Sequence, residues 1–238
     1  MNYFFITGSS KGLGKALTEL LLTNEKNFVY GISRTNNISH QQFQHIQVDL
    51  ADIDVVKQFE FPELKGATTI TLINNAGIVG DIKYLGNLDC DKIISTYNLN
   101  LITPTLLINQ FVKTYNNKLS KLVINISSGA GRSPIDGWSV YCATKAGLDM
   151  LSLVFKEEIK NKKLNTNILS LAPGIINTGM QEEIRKADET NFSNIERFIE
   201  YKNNGDLADP TSTAKLIVKF ISDKTLQEKT ICSIRDIS

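Results

Sequence analysis

The feature that most constrains the fold of this chain is a glycine-rich turn between a short apolar segment and a helical one. Residues 2–6 are mostly apolar and predict a buried strand. The sequence TGSSKGLGKALTELLL follows at once, and its amphipathic second half predicts a helix whose N-terminus faces the turn. Three glycines permit a tight turn, close backbone approach to a pyrophosphate and close helix packing: Gly8, Gly12 and Gly14. The chain is therefore expected to begin with a phosphate-binding strand, turn and helix.

Strands alternating with helices continue along the chain. Besides the first segment and the run KLVINIS before Ser128, five segments have strand character: residues 27–33, 44–48, 69–73, 165–171 and 230–234. Helical patterns cover residues 89–115, 139–160 and 210–221. Seven β-like segments separated by helices, with no linker, predict one Rossmann-type, doubly wound α/β domain over residues 1–238. Its sheet should have about seven mostly parallel strands, helices on both faces, and ligands at the carboxyl ends of the strands.

Composition and charge argue against several classes of function. The chain has 26 Lys and Arg against 25 Asp and Glu, which leaves a formal charge of +1 and no electrostatic case for nucleic acid or an anionic membrane. No apolar stretch approaches the roughly 20 residues of a membrane span, and the early strand leaves no room for a signal peptide. Cys90, Cys142 and Cys232 lack metal-ligand spacing, and His40 and His45 have no third ligand nearby. We therefore expect a cytoplasmic, reduced protein without a metal site.

The stretch of residues 125–147 carries the strongest functional signal. Tyr141 and Lys145 are four residues apart in a predicted helix that begins at Ser139, so their side chains point the same way. An ammonium beside a phenol is expected to lower the pKa of Tyr141 from about 10 toward neutrality and to tune it for proton transfer. Ser128, at the end of a predicted strand, is suited to hydrogen-bond the same substrate oxygen. The apolar residues of this helix are expected on its buried side: Val140, Ala143, Leu148, Leu151 and Val154 or Phe155.

A serine followed thirteen residues later by Tyr-x-x-x-Lys, a GxxxGxG turn and an Asn-Asn-Ala-Gly sequence together resemble the short-chain dehydrogenase/reductase family. The resemblance covers nearly the whole chain. It implies that Tyr141 protonates a developing alkoxide, that Ser128 positions the carbonyl oxygen, and that Lys145 lowers the tyrosine pKa while holding the nicotinamide ribose. It also implies a mid-helix asparagine that helps to hold a water on a proton path to the lysine. Asn100 is assigned to this role, and Asn98 is the competing assignment.

The same resemblance implies a set of residues around a bound dinucleotide. Besides Tyr141 and Lys145, they belong to the glycine turn, to the ends of three predicted strands and to a Pro-Gly-x-x-x-Thr turn: Gly8, Ser10, Lys11, Gly12, Leu13, Gly14, Arg34, Asp49, Leu50, Asn75, Ala76, Gly77, Pro173, Gly174, Ile176 and Thr178. Capping of a following helix is the alternative role for Thr178.

The choice of cofactor depends on the end of the second strand. An NAD-selective site usually carries an acidic residue there for the ribose 2′-hydroxyl, whereas this chain reads GISRT. Arg34 stands where a 2′-phosphate would lie, and Lys11 in the glycine turn is a second cation near the same region. Each could be a plain surface residue. Two cations at these two places, without an acid, predict NADP(H).

Substrate class and assembly are inferred from the resemblance. The sequence GWSVYCATKAGLDM is similar to bacterial benzil reductases, which form (S)-benzoin, and more distantly to sepiapterin reductases. This implies hydride transfer from NADPH to a ketone, one carbonyl of a 1,2-dicarbonyl. A 3-oxoacyl thioester reductase and a non-catalytic NADP-sensing protein are the alternatives. Residues 179–205 stand where relatives carry a substrate lid, and a homodimer through the helices of Asn100 and Tyr141 is expected.

Overall fold

The protein is organised around a parallel β-sheet, as seen in a computed structural model that describes residues 1–115 and 118–237. Its strands are β1 (Asn2–Thr7), β2 (Asn27–Ser33), β3 (Phe43–Gln47), β4 (Thr69–Asn74), β5 (Ser120–Ile126), β6 (Thr166–Ala172) and β7 (Ile231–Ser233). They lie in the order β3-β2-β1-β4-β5-β6-β7, and each pairing is parallel. The predicted Rossmann-type, doubly wound α/β fold is thereby confirmed.

Helices cover both faces of this sheet. They are α1 (Gly12–Leu21), α2 (Ile53–Lys57), α3 (Cys90–Tyr97), α4 (Thr103–Thr114), α5 (Ser139–Lys162), α6 (Gly179–Arg185), α7 (Ile195–Asn203) and α8 (Pro210–Ser222). Short 3₁₀ turns lie at Gly129–Gly131, Glu189–Asn191, Thr225–Gln227 and Ile234–Ile237. Alternate residues of β1 face opposite layers, as the pleat requires. Phe4 and Ile6 pack with α1 and α8, whereas Phe5 packs with α2, α4 and α5.

A π-helical segment, Asn98–Ile102, joins α3 to α4 within the region predicted as one helix. The N–H of Thr103 donates to the carbonyl of Asn98, five residues earlier instead of four. Pro104 follows and has no N–H to give to the carbonyl of Asn100, so regular helical bonding cannot run through this point. The segment carries Asn100 into the interior, where it is buried.

Helix α5 buries a polar face, which the apolar pattern did not predict. Its buried residues are Tyr141, Thr144, Lys145, Leu148, Asp149, Ser152, Phe155 and Ile159. Of the apolar residues expected on that side, Leu148 and Phe155 are buried, Val140 and Leu151 are partly buried, and Ala143 is exposed. The expectation of an apolar face was therefore right only in part, because buried polar groups share this face and satisfy one another. The Asn125 amide, for example, donates to the Ser152 hydroxyl at 2.9 Å, which removes the penalty of burying both.

The loops after the strands meet at the carboxyl edge of the sheet. They carry the glycine turn, the Asn-Asn-Ala-Gly segment, the serine of the predicted catalytic group and the Pro-Gly turn. Within residues 1–115 and 118–237, no helix is long and apolar enough to cross a membrane.

Candidate active site

Ser128 stands at the carboxyl end of β5, where the strand gives way to a 3₁₀ turn. Its hydroxyl accepts a hydrogen bond from the N–H of Ala130 at 3.2 Å and interacts with the Tyr141 phenol, an interaction that lowers the pKa of that group. The turn packs closely on α5, since a Cβ at Gly131 would be 2.8 Å from the carbonyl carbon of Lys145. The serine hydroxyl is therefore fixed beside the phenol by the backbone around it.

The phenol of Tyr141 is buried, with 7% of the residue exposed. Its ring meets Trp138 edge to face, with 5.4 Å between ring centroids. Burial raises the pKa of Tyr141 to about 12, and the hydrogen bond with Ser128 opposes the rise only in part. The expectation of a pKa lowered toward neutrality was wrong, because burial is the largest influence and Lys145 does not offset it. The phenol keeps its proton at neutral pH.

Lys145 lies one turn along α5 from Tyr141 and is 4% exposed. Its Nζ donates to the backbone carbonyl of Ile126 at 2.9 Å and lies 5.6 Å from the centroid of the Tyr141 ring. Burial lowers the pKa of Lys145 to about 8, and the negative charge of Asp149 opposes this shift. The strand end and the helix thus hold the ammonium and the phenol in one site.

Asn100 adjoins Lys145 from the π-helical segment. Its amide accepts from the N–H of Ile78 at 3.0 Å, donates to the carbonyl of the same residue at 2.8 Å, and donates to the Thr144 hydroxyl at 3.2 Å. A Cβ at Gly77 would lie 3.2 Å from Oδ1 of Asn100 and 3.6 Å from Nζ of Lys145. The glycine therefore leaves open the space where the amide and the ammonium approach each other.

Asn98, the competing assignment, faces elsewhere. Its amide is directed at the carbonyl of Ala51, at a distance of 3.5 Å. The two asparagines are two residues apart, so they project from different sides of the helical segment. The geometry therefore favours Asn100 as the asparagine of the site.

The glycine turn between β1 and α1 is too tightly packed for larger residues. A Cβ at Gly14 would be 2.2 Å from the carbonyl oxygen of Gly8. Gly8 and Gly12 have φ angles of 70° and 54°, in the left-handed region that favours glycine. Helix α1 begins here without a side-chain cap and without an acidic residue in its first turn. This N-terminus suits an anion, so the turn fits the pyrophosphate of a dinucleotide.

The Pro-Gly turn after β6 faces the glycine turn. A Cβ at Gly12 would lie 3.3 Å from Cγ2 of Thr178, and a cleft of about 430 Å³ borders both residues. Pro173 and Gly174 follow β6 directly, and Ile176 is held by an isolated parallel bridge to the segment before α8. The side chain of Thr178 does not cap α6, so the capping alternative fails.

Two cations stand in the segments that meet at the end of β2: Arg34 follows the strand, and Lys11 belongs to the glycine turn, whose Ser9 hydroxyl is 3.3 Å from that of Ser33. Arg34 and Lys11 are both exposed, and neither has an ion-pair partner within the described residues. The Ser33 hydroxyl donates to the carbonyl of Thr35 at 2.8 Å and lies 3.1 Å from Nε2 of His45. These bonds brace the turn that carries Arg34. This strand end fits a phosphate on the adenosine ribose.

The Asn-Asn-Ala-Gly segment is fastened to β1 by Thr7, a residue that sequence reasoning missed. The Thr7 hydroxyl accepts from the N–H groups of Asn75 at 2.9 Å and Ala76 at 3.0 Å. The Asn75 amide also donates to the Thr7 carbonyl at 2.9 Å. The other predicted cofactor residues lie at the same edge, in the glycine turn or after β3: Ser10, Leu13, Asp49 and Leu50.

Polar residues also pack beneath the site, and among them sequence reasoning identified only Asn74, in the Asn-Asn-Ala-Gly sequence. Across β4 and β5, the Asn74 amide donates to Asn125 at 2.8 Å, and both are buried. On α5, Thr144, Asp149 and Ser152 share the face of the tyrosine and lysine, and their spacing of three and four residues was an available signal. Within the part of the chain that the structure describes, no three His, Cys, Asp or Glu side chains are grouped to hold a metal ion.

Comparisons with known proteins agree with this arrangement. A family model described as short chain dehydrogenase matches residues 2–189. Benzil reductase ((S)-benzoin forming) of Bacillus subtilis is 37% identical over 235 residues, which cover 94% of this chain and 95% of that protein. Sepiapterin reductase of Rattus norvegicus is 30% identical over 257 residues, 98% of this chain and 95% of that protein. A short-chain dehydrogenase/reductase structure from Saccharomyces cerevisiae matches with a TM-score of 0.86 at 22% identity, over 98% of this chain and 96% of that one.

Proposed function

The chain belongs to the short-chain dehydrogenase/reductase family, and we propose that it is an NADPH-dependent ketone reductase that acts on one carbonyl of a 1,2-dicarbonyl. The observation that carries this proposal is the cluster of Ser128, Tyr141 and Lys145 beside a turn that fits a dinucleotide. A nicotinamide dinucleotide, the cofactor type of this family, supplies the hydride when bound.

The side chains of the protein supply position and a proton. Ser128 donates a hydrogen bond to the substrate carbonyl oxygen and holds it beside the phenol. Tyr141 gives its phenolic proton to the same oxygen as negative charge develops there. Lys145 binds the ribose hydroxyls and contributes a positive charge close to the reacting oxygen. Their fixed geometry removes the need to bring these groups together during the reaction.

Tyr141 is in the protonation state that ketone reduction requires. Burial raises its pKa to about 12, so the phenol is a ready proton donor at neutral pH. Alcohol oxidation needs the phenolate first, and only a very small fraction of the side chain is ionised at neutral pH. The buried phenol therefore supports the reductive direction of the proposal.

An aromatic wall beside the phenol supports the proposed substrate class. The Trp138 ring packs on Tyr141 and also contacts Phe192 at 5.6 Å and Phe198 at 5.3 Å between centroids. These rings are at most 8% exposed, so they would line a site for an aryl group next to the reacting carbonyl once the segment that carries Phe192 and Phe198 moves aside. The Bacillus subtilis relative is named for benzil, a 1,2-diketone with two aryl groups.

Residues 179–205, which include Phe192 and Phe198 of this wall, are proposed as the substrate lid. Asp136, in the loop before α5, accepts from the N–H of Ser193 at 2.8 Å, from the Asn194 amide at 2.6 Å and from the Tyr84 hydroxyl at 3.2 Å. These bonds tie the lid segment to the loop that leads to Trp138. A movement of the segment would therefore change the aromatic wall as well as solvent access.

The proposed substrate class is tested by following NADPH oxidation with four compounds under one set of conditions. They are benzil, an aliphatic 1,2-diketone, sepiapterin and a 3-oxoacyl thioester. We expect the highest kcat/KM with benzil. A preference for the thioester would support the alternative reductase, and NADPH binding without oxidation of any of the four would support the non-catalytic role.

Replacing Arg34 by alanine is expected to raise KM for NADPH by about tenfold and to leave KM for NADH nearly unchanged. The guanidinium is lost from a phosphate that NADPH alone carries, and a charge-assisted hydrogen bond at an exposed site is of this size. The measurement is steady-state kinetics with each cofactor. Lys26→Ala, which removes an exposed cation before the start of β2, is the matched control and should change neither KM. Equal use of both cofactors by the wild type would contradict the proposed NADPH preference.

The proposed assembly is a homodimer through α5 and the α3–α4 region. Apolar side chains on these elements are exposed, which favours contact with a second copy: Ile94, Ile102, Met150, Leu153 and Val154. Leu153→Glu is expected to halve the mass measured by light scattering at micromolar concentration. Val55→Glu, which alters an exposed apolar residue of α2, should leave the mass unchanged. A wild-type monomer at this concentration would rule the dimer out.

The proposed location is the cytoplasm. Cys90, Cys142 and Cys232 form no disulfide, and Cys90 is exposed as a free thiol. Free exposed thiols are usual in reducing compartments. The formal charge of +1 also offers no reason to expect nucleic acid as a partner.

A further inference from the structure

We propose that Asp149 is a positioning residue that maintains the positive charge of Lys145 in the active site, and that its ion pair with Arg132 limits this effect. The inference rests on the proposed function only in that Lys145 acts there as an ammonium group. Neither Asp149 nor Arg132 is among the residues that the family resemblance implies.

Asp149 is tied to three parts of the fold. Its Oδ2 accepts from Nε of Arg132 at 2.9 Å, and its Oδ1 accepts from the Ser170 hydroxyl of β6 at 2.5 Å. The Arg132 guanidinium also donates to the Cys232 carbonyl of β7 at 3.3 Å. The Asp149 side chain is 10% exposed, whereas that of Arg132 is 34% exposed. The nearly buried Asp149 carboxylate is thus held in one place, on the helical turn of α5 that follows Lys145.

The carboxylate lies close enough to act on Lys145. The two residues are four apart on α5, a spacing that brings their Cβ atoms to about 5–6 Å on one face. Burial lowers the pKa of Lys145 to about 8, and Asp149 is the charged group that opposes this. Without the carboxylate, burial would act unopposed and the ammonium would be lost at a lower pH.

Within the part of the chain that the structure describes, the other side chains near Lys145 cannot replace the negative charge of Asp149. Burial raises the pKa of Tyr141 to about 12 and that of the Cys232 thiol to about 11, so both are neutral at pH 8. Arg132 is positive, and the other charged groups near Cys232, which are Asp236, Lys156 and Lys229, affect the pKa of that thiol and not that of Lys145. The polar residues on α5, the π-helical segment, the 3₁₀ turn and β6 do not ionise: Thr144, Asn100, Ser128 and Ser170.

A purely structural ion pair is the competing explanation, and the two roles predict different results. If the pair only fastens the turn to α5, breaking it from either side has the same effect. If the ion pair sets the charge of Lys145, removing Asp149 and removing Arg132 change the lysine pKa in opposite directions. Asp149→Asn leaves the Arg132 cation unpaired and lowers the lysine pKa, whereas Arg132→Gln leaves the carboxylate unpaired and raises it.

The experiment is a pH titration of Lys145 in the free protein, read from the NMR shift of its ε-methylene group. The signal is assigned by its absence from Lys145→Met. The midpoint is expected to fall by about 1 pH unit in Asp149→Asn and to rise by about 0.5 to 1 unit in Arg132→Gln. The alkaline limb of the pH profile for diketone reduction should move in the same two directions. Ser170→Ala keeps both charges and should leave the midpoint at its wild-type value.

Opposite displacements would support the inference, and displacements in one direction, or none, would overturn it. If Asp149→Asn does not fold, Arg132→Gln decides alone, because only the electrostatic role predicts a rise. The titration needs no substrate, so the two proposals can fail separately. Opposite displacements in a protein that reduces no ketone would remove the proposed function and leave this inference standing. Diketone reduction with unmoved midpoints would do the reverse.

Discussion

Replacing Tyr141 by phenylalanine is expected to lower kcat for diketone reduction by about 10²- to 10⁴-fold while the dissociation constant for NADPH changes little. The lost hydroxyl is the proton donor, and general acid catalysis has this magnitude. The ring itself stays in its contact with Trp138, so the buried packing is kept. The measurements are single-turnover kinetics with benzil and a fluorescence titration with NADPH.

The matched control is Tyr115→Phe. Tyr115 is also buried, and its hydroxyl donates to the carbonyl of Pro62 at 2.8 Å, at the end of α4 opposite to the segment that carries Asn100. This variant should lose some stability but keep the wild-type kcat. A Tyr141→Phe enzyme that reduces 1,2-diketones at close to the wild-type rate would show that α5 is scaffold, and the non-catalytic role would then be favoured.

Lys145→Met is expected to impair both turnover and NADPH binding, whereas Tyr141→Phe is expected to impair turnover alone. We expect kcat to fall by about 10²-fold or more and the dissociation constant for NADPH to rise by about tenfold. Methionine fills the same narrow space but removes the ammonium and leaves the Ile126 carbonyl without its donor at 2.9 Å. The same two measurements are used, with the melting temperature as a check on folding.

Lys156→Met is the control for loss of a lysine from α5. Lys156 lies three turns further along and donates to the Asn167 side chain at 2.5 Å, so its removal also breaks a hydrogen bond. Turnover and NADPH affinity should both stay near wild type. An unchanged NADPH affinity in Lys145→Met would contradict a role of this ammonium at the cofactor.

The strands were predictable because buried parallel strands are short, continuous apolar runs. Residues 27–33 were predicted with the bounds that β2 has, and each other strand differs by at most one residue at either end. The glycine turn was equally predictable, because positions where only glycine fits sterically are visible directly in the sequence. Where a Cβ at Gly14 would be 2.2 Å from a carbonyl oxygen, only one residue type fits.

The short helices α2, α6 and α7 were not predicted. They have five, seven and nine residues, lengths at which helix formation depends on packing with the rest of the fold more than on local sequence. Phe192 and Phe198 show the reason. Their contact with Trp138 joins segments more than fifty residues apart, and no periodic pattern records such a contact.

The electrostatics of the site were beyond sequence reasoning for a related cause. The spacing of Tyr141 and Lys145 correctly indicates that they are neighbours, but a pKa depends on how much water reaches each group. With 7% and 4% of these residues exposed, burial decides both shifts. The role of Asp149 was hidden in the same way, because the partners of its carboxylate come from a loop and from β6.

The π-helical turn at Asn98–Ile102 bears on how this chain should be aligned with others. Such a turn holds one residue more than an α-helical turn, and one residue rotates all that follows by about 100°. Here the extra residue lets Asn100 face the lysine while α4 still presents Phe111 to the core. A relative with one residue fewer in this stretch would keep both helices and every motif letter, yet its asparagine would point away from the site. A single-residue gap at this place in an alignment therefore marks a change in the direction of this asparagine that comparison of motifs alone does not detect.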